Sequence, residues 1–200
     1  MGGEWFQLND IRPLNCIIGP LGSGKTRLAR RLAEELPGSA FLALGRTCEG
    51  QPAEELRADS RLGARAEDQH ARLVENGAAP SSILFDLVTH LEADRSGALV
   101  INMLEEGLDQ ASQKALIADL RRRGPDAGSL FFTTRSSSIL DLASVGGGEA
   151  IILCPANHSP PMLVAPYPGT PGYEAVALCL ADPQVRERTR GVTAVRRKVA

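Results

Sequence analysis

The 200-residue chain has no apolar run approaching the ~20 residues that span a bilayer. It also has no excess of positive charge. Lys and Arg number 22 against 24 Asp and Glu, for a formal net charge of −2. Without a basic excess, neither nucleic acid nor an anionic membrane is indicated as an obligatory partner. Two local basic clusters, Arg121-Arg122-Arg123 and Arg196-Arg197-Lys198, have blander explanations. The opening Met1-Gly2-Gly3-Glu4-Trp5-Phe6 lacks the basic start and apolar core of a secretory signal. Phe6 stands where a myristoylation signal needs Ser or Thr. Cysteine is sparse, and Cys16, Cys48, Cys154 and Cys179 show no metal-ligand spacing. Reduced, mostly buried thiols in a cytoplasmic protein fit that pattern. No internal repeat is visible. The apolar fraction of 43% and charged fraction of 23% are those of an ordinary globular protein, and the length suits one domain over 1–200.

Short apolar runs alternate with helical patterns. Leu14-Asn15-Cys16-Ile17-Ile18 reads as a buried strand. Lys25 to Leu36 carries Leu28, Leu32 and Leu36 at helical spacing, and Pro37-Gly38 stops it. Ser39 to Leu44 reads as a second strand. Gly45 to Ala79 is polar and reads as helical, with a mobile loop near Gly50-Gln51-Pro52. Pro80-Ser81-Ser82 opens a helix whose face is Ile83, Leu84, Leu87, Val88 and Leu91. Ala98 to Met103 is a third strand. Gln110 to Arg123 is a helix with Leu116, Ile117 and Leu120 inward and three arginines at the negative end of its dipole. Ser129 to Thr134 is a fourth strand, and Ser136 to Ser138 are placed to cap a short helix over Ile139 to Ala143. Glu149 to Cys154 is a fifth strand. Pro161 to Ala165, with its prolines, suits a sheet edge. Helices follow around Tyr173 to Leu180 and Gln184 to Arg190. The alternation predicts an α/β fold: a mostly parallel sheet with helices on both faces, a reduced helical insertion over 45–97, and a Pro/Gly-rich connection with helices over 155–200.

The strongest signal is Gly19-Pro20-Leu21-Gly22-Ser23-Gly24-Lys25-Thr26, which fits G-x-x-x-x-G-K-[ST] at every fixed position. It follows a strand and opens a helix, the context a P-loop requires. Gly19, Gly22 and Gly24 let backbone N–H groups turn inward, Ser23 among them, and the helix start adds partial positive charge. Lys25 is placed to reach the β- and γ-phosphates of a nucleoside triphosphate, and the Thr26 hydroxyl to ligate Mg2+. ATP with Mg2+ is the expected ligand pair.

Leu99-Val100-Ile101-Asn102-Met103-Leu104-Glu105-Glu106-Gly107-Leu108-Asp109 resembles the Walker B segment of the ATP-binding-cassette (ABC-type) ATPases. There a strand ends in Asp-Glu-Pro, and Gly-Leu-Asp follows two residues later. The resemblance puts Asn102 at the magnesium-associated Asp, Met103 at the catalytic Glu, and Asp109 among the nucleotide-site residues. Asn102 can hydrogen-bond a magnesium-bound water but brings no charge, and Met103 cannot polarise a water. Glu105 or Glu106 either substitutes as the catalytic acid or is a solvated loop residue. Phe131 to Leu140 resembles the family strand that ends in Thr-His, with Arg135 in place of the His that senses the γ-phosphate. Arg135 is then either a permanently charged sensor or a surface Arg at a strand end. Ser81-Ser82, which starts a helix before Asn102, is either a degenerate form of the family's Ser-Gly-Gly signature or an ordinary helix cap. Gln51 is the candidate for the family's glutamine loop. Trp5 or Phe6 either stacks on adenine or plugs the first strand.

The resemblance runs from about Ile11 to Asp141. It implies an ATP-binding P-loop protein with weak or absent hydrolysis that associates on binding nucleotide, as a homodimer or with an unidentified protein partner. Two other readings stand beside it: a nucleotide-gated interaction module that never turns over, and a small-molecule P-loop kinase. The kinase reading lacks a convincing catalytic Asp near the P-loop strand.

Overall fold

The computed structural model describes residues 6–43, 52–124, 127–156 and 159–181. Six strands form its single sheet among these residues: β1 (Leu14–Ile18), β2 (Ala40–Ala43), β3 (Leu99–Asn102), β4 (Leu130–Thr133), β5 (Glu149–Leu153) and β6 (Met162–Val164). Their spatial order is β2-β3-β4-β1-β5-β6. All neighbours pair in parallel except β5 and β6, which are antiparallel. Parallel strands buried on both faces need near-continuous apolar runs, and β1 and β4 are buried at every position.

The period of two divides each strand between two cores. Ile17, Val100, Phe131 and Ile152 face one side, where they meet Ala29, Leu28 and Leu32 of helix α1 (Lys25–Glu35). Cys16, Ile18, Ile101 and Phe132 face the other, against α4 (Ser82–Glu92) and α5 (Gln110–Arg122). Between β2 and β3 lie α2 (Ala53–Arg57), α3 (Ser60–Glu75) and α4, which make up the helical insertion. Asp59 caps α3 through Arg61 N and Leu62 N, and Ser81 caps α4 through Leu84 N at 3.2 Å. Helix α6 (Tyr173–Cys179) follows β6. No described helix is long and apolar enough to cross a membrane.

Two expectations change, and a third gains specific partners. Ile139 to Ala143 is not an α-helix. Ile139 and Leu140 sit buried in a turn, and a 3₁₀ turn at Leu142–Ser144 starts from Asp141, whose carboxylate accepts from Ala143 N. The Ser136 hydroxyl accepts from Ser138 N and donates to Gln113, so it holds a turn there. The arginines ending α5 act through specific pairs as well as the dipole. Arg121 forks onto Glu149 of β5 at 3.0 and 3.1 Å, and Arg123 reaches Glu92 and the Leu91 carbonyl of α4. Ile83, expected on the inner face of α4, is 36% exposed. The expected second C-terminal helix, the basic cluster at 196–198, Gln51, Cys48 and Trp5 lie outside the described residues.

His90 of α4 is buried beside Arg95, Asp86 and Arg57, and Arg95 donates to its carbonyl at 2.6 Å. Burial, then the Arg95 charge, holds its pKa below the usual value, with Arg57 adding and Asp86 opposing. The unfolded chain therefore takes up a proton that the folded chain resists. Stability should be full above the unfolded value of about 6.5 and fall as pH drops from there toward the lower folded value. Denaturant unfolding at pH 5 and pH 8 should show this slope in the wild type and a flatter one in His90→Gln. An unchanged slope would remove His90 from the account.

Candidate functional site

The site starts where β1 stops. A Cβ on Gly19 would meet the Cys154 carbonyl oxygen at 2.3 Å, so the end of β5 crowds the first loop residue and only glycine fits. Gly22 and Gly24 are glycines for another reason. Their φ values of 79° and 87° lie in the left-handed region, yet no atom lies within 4 Å of an added Cβ. Gly24 ends the loop as the N-cap of α1 with no side-chain cap, so the first turn of N–H groups has no side-chain acceptor there.

Lys25 opens α1 and is buried, with Nζ donating to the carbonyls of Gly19 and Pro20, each at 2.7 Å. Burial pushes its ammonium below the usual range, and the Arg135 charge adds to this. Cys154, Cys179 and Glu105 oppose it. Two cationic groups thus repel each other at one end of the sheet, an arrangement that an anion would relieve. Ser23 Oγ is buried with no hydrogen-bond partner.

Beside the loop, Thr26 Oγ1 donates to Asn102 Oδ1 at 3.0 Å, joining the start of α1 to the end of β3. Thr133, the last residue of β4, ties the same point down. Its hydroxyl accepts from Met103 N at 2.7 Å and donates to Asn102 Oδ1 at 3.1 Å. Thr133 escaped the sequence reading. Within Leu-Phe-Phe-Thr it looks like one more β-branched strand residue, and only the strand order brings its hydroxyl to Asn102. Met103 is the only non-glycine described with positive φ, at 59°. That conformation costs roughly 1–2 kcal/mol, and the Met103 N bond to Thr133, with Leu104 N on the Thr133 carbonyl at 3.0 Å, holds it.

Of the two candidate acids, Glu105 is buried at 5% exposure, and its Oε1 accepts from Arg135 N at 3.0 Å. Glu106 is half-buried, with its backbone N–H on the Met103 carbonyl. The Arg135 chain is further fixed by Ala181 N on its carbonyl at 2.9 Å, and its Nε is buried without a hydrogen-bond partner. Ser136 donates to Gln113 Oε1 at 2.6 Å, and Gln113 Nε2 donates to the Leu108 carbonyl, so α5 grips the same strand end. Asp109 points its carboxylate at Ser112 N, 2.8 Å away, and caps α5. Gly107 (φ 76°) abuts α4, since a Cβ there would meet Ile83 Cδ1 at 2.5 Å. Phe6 packs with Leu8 against the core that α1 covers, the position of a strand plug. The structure thus brings together the loop, Lys25, Thr26, Asn102 and Thr133, and sets Glu105 on Arg135. Asp109 has its own structural task. Among the described residues no group of three or more His, Cys, Asp and Glu could hold a metal.

No protein-family model matches the chain. No curated protein matches it either. Solved structures do. One described as a metal-chelate type ABC transporter in an inward-facing conformation superposes with a TM-score of 0.54 at 12% identity, over 80% of this chain and 74% of that chain. Two others have a TM-score of 0.49 and each covers 76% of this chain and 35% of theirs. They are an archaeal ribosome recycling factor in complex with a ribosomal stalk protein, at 15% identity, and an RNase-L inhibitor, at 14%. The first of these matches, together with the strand order, establishes the P-loop NTPase fold.

Thr133→Val would strand the Met103 N–H next to a strained residue. It should lower unfolding free energy by about 1–3 kcal/mol, the cost of a buried unsatisfied group, whereas Thr133→Ser keeps the hydroxyl and should lose less. Equal losses in urea titrations would mean that the methyl group, not the hydrogen bond, matters.

Proposed function

We propose, with that fold as the premise, that this chain binds a nucleoside triphosphate, ATP in our reading, at the loop between β1 and α1, and hydrolyses it slowly or not at all. The observation that carries the reading is the loop geometry: two left-handed glycines, a helix start with no side-chain cap, and Lys25 buried on the loop's own carbonyls. Backbone N–H groups and a lysine at a helix start form an anion site before any side chain outside the loop is considered.

The reading of weak turnover rests on what surrounds the cradle. A general base must reach the attacking water. Met103 has no basic group, and Glu105 spends one oxygen on the Arg135 backbone while buried. Glu105 in this reading positions Arg135, and Arg135 meets the γ-phosphate. Such a protein signals by which nucleotide it holds. Nucleotide-dependent association, with a second copy or another protein, is the output this reading favours. The half-buried Glu106 is the remaining acid, and a rate lost in Glu106→Gln but kept in Glu105→Gln would assign it the water. Asp109 contributes by fixing the start of α5 behind the loop.

Two titrations test this by calorimetry. Lys25→Ala removes the loop's own cation and should cost at least ~2 kcal/mol of ATP affinity, the order of a charged hydrogen bond. Unchanged affinity would refute the site. Arg135→Ala should cost about 1.5–3 kcal/mol for ATP and leave ADP nearly unchanged. Equal loss for both nucleotides would show that Arg135 acts through the fold and not through the γ-phosphate.

A further inference from the structure

A P-loop with Thr26 beside the end of β3 invites a magnesium ion, and the residues there fit one poorly. Magnesium takes oxygen ligands in octahedral geometry and is helped by carboxylates. Here the residue facing Thr26 is Asn102, a carboxamide that brings no negative charge. Met103 N–H donates to Thr133 Oγ1 at 2.7 Å. A hydroxyl that accepts there has its single proton to give elsewhere, and it goes to Asn102, 3.1 Å away. The atom that receives it is the carboxamide oxygen. Thr26 Oγ1 donates to that same oxygen at 3.0 Å. The acceptor of Asn102 is therefore occupied by two hydroxyls, and its free edge is the NH2 group, which makes no hydrogen bond among the described residues.

An NH2 edge repels a metal or its bound water's protons, and it attracts a phosphate oxygen. Glu105, the one acid buried among the described residues, accepts from Arg135 N. Positive charge at the site comes from the protein itself: Lys25 at the loop, Arg135 near enough for its charge to act on Lys25, and the start of α1.

We infer that this site binds its nucleotide as the metal-free anion, with Asn102 Nδ2 donating directly to a phosphate oxygen. The inference rests on the nucleotide reading above. It recasts Asn102, expected from sequence as a partner of the metal's water, as a phosphate ligand. It also gives weak turnover a second cause, since the charge that magnesium would spread over the transferred phosphoryl group is not supplied.

The test is calorimetric titration of the full chain with ATP in excess EDTA and in millimolar MgCl2, with thermal melting as a check on each variant's fold. Wild type should bind at least as tightly in EDTA as in magnesium. Asn102→Asp should reverse this and bind about tenfold tighter with magnesium than without, the effect of one charge-assisted contact. Asn102→Ala, which needs no new charge to be accommodated, should lose about tenfold in affinity in both buffers, since a direct donor is gone. Wild-type binding that falls tenfold or more in EDTA would overturn the inference while leaving the nucleotide reading intact. Asn102→Ala weakened only in magnesium would also overturn it. No binding in either buffer would overturn the nucleotide reading and this inference with it.

Discussion

The first turn of any α-helix presents N–H groups that have no partner within the helix, and the organisation of this site follows from where α1 leaves its own. Gly24 supplies no side-chain cap, and the loop before it turns through left-handed glycines. Those donors must be met by water or by an anion. Their position is set by β1, which lies between β4 and β5 and is buried throughout. Gly19 fixes the exit from that strand, because the Cys154 carbonyl leaves no room for a side chain. Lys25 then folds its ammonium back onto two loop carbonyls, which keeps a buried charge hydrogen-bonded and keeps it at the rim. The cradle is thus an outcome of sheet order and glycine sterics, and the charges around it are arranged on that frame.

Around the cradle, binding chemistry and turnover chemistry separate. Lysine, arginine and backbone donors attract phosphate without needing a proton to move. Hydrolysis needs a base aligned on water, and the positions next to β3 carry an amide, a thioether in a left-handed residue and a buried carboxylate already in use. Thr133 links these facts. By accepting from Met103 N and donating to Asn102, it holds the strained residue in place and ties the oxygen edge of the amide to the end of β4. One hydroxyl at a strand end therefore bears on backbone strain, ligand choice and the weak turnover we propose. The helical insertion sits against this region through Gly107 and Ile83, so the start of α4 is sensitive to the loop after β3.

Much of the fold was legible because its signals are local. The apolar run Leu14–Ile18, the leucines of α1 and α4, and the cap at Ser81 each carry their meaning within a few residues. What failed was non-local. Ile139 and Leu140 have helix-like neighbours in sequence, yet Gln113 from α5 takes the Ser136 hydroxyl and the segment becomes a buried turn. Arg121 does stand in the last turn of α5, where the dipole favours it, but its fork onto Glu149 went unread because it appears only when β5 is in place. The site divides the same way. The loop residues and Thr26 were visible from spacing alone, whereas Thr133 and the structural tasks of Glu105 and Asp109 depend on which strand ends become neighbours.

The central claim is that the space within Gly19 to Thr26 is a triphosphate site closed by Arg135. A crystal structure of the chain with a non-hydrolysable ATP analogue tests it most directly. The account predicts phosphate oxygens on the N–H groups at the start of α1, the Lys25 ammonium moved from the Gly19 and Pro20 carbonyls onto phosphate, and the Arg135 guanidinium on the γ-phosphate. An analogue bound elsewhere, with Lys25 still on those two carbonyls, would contradict it.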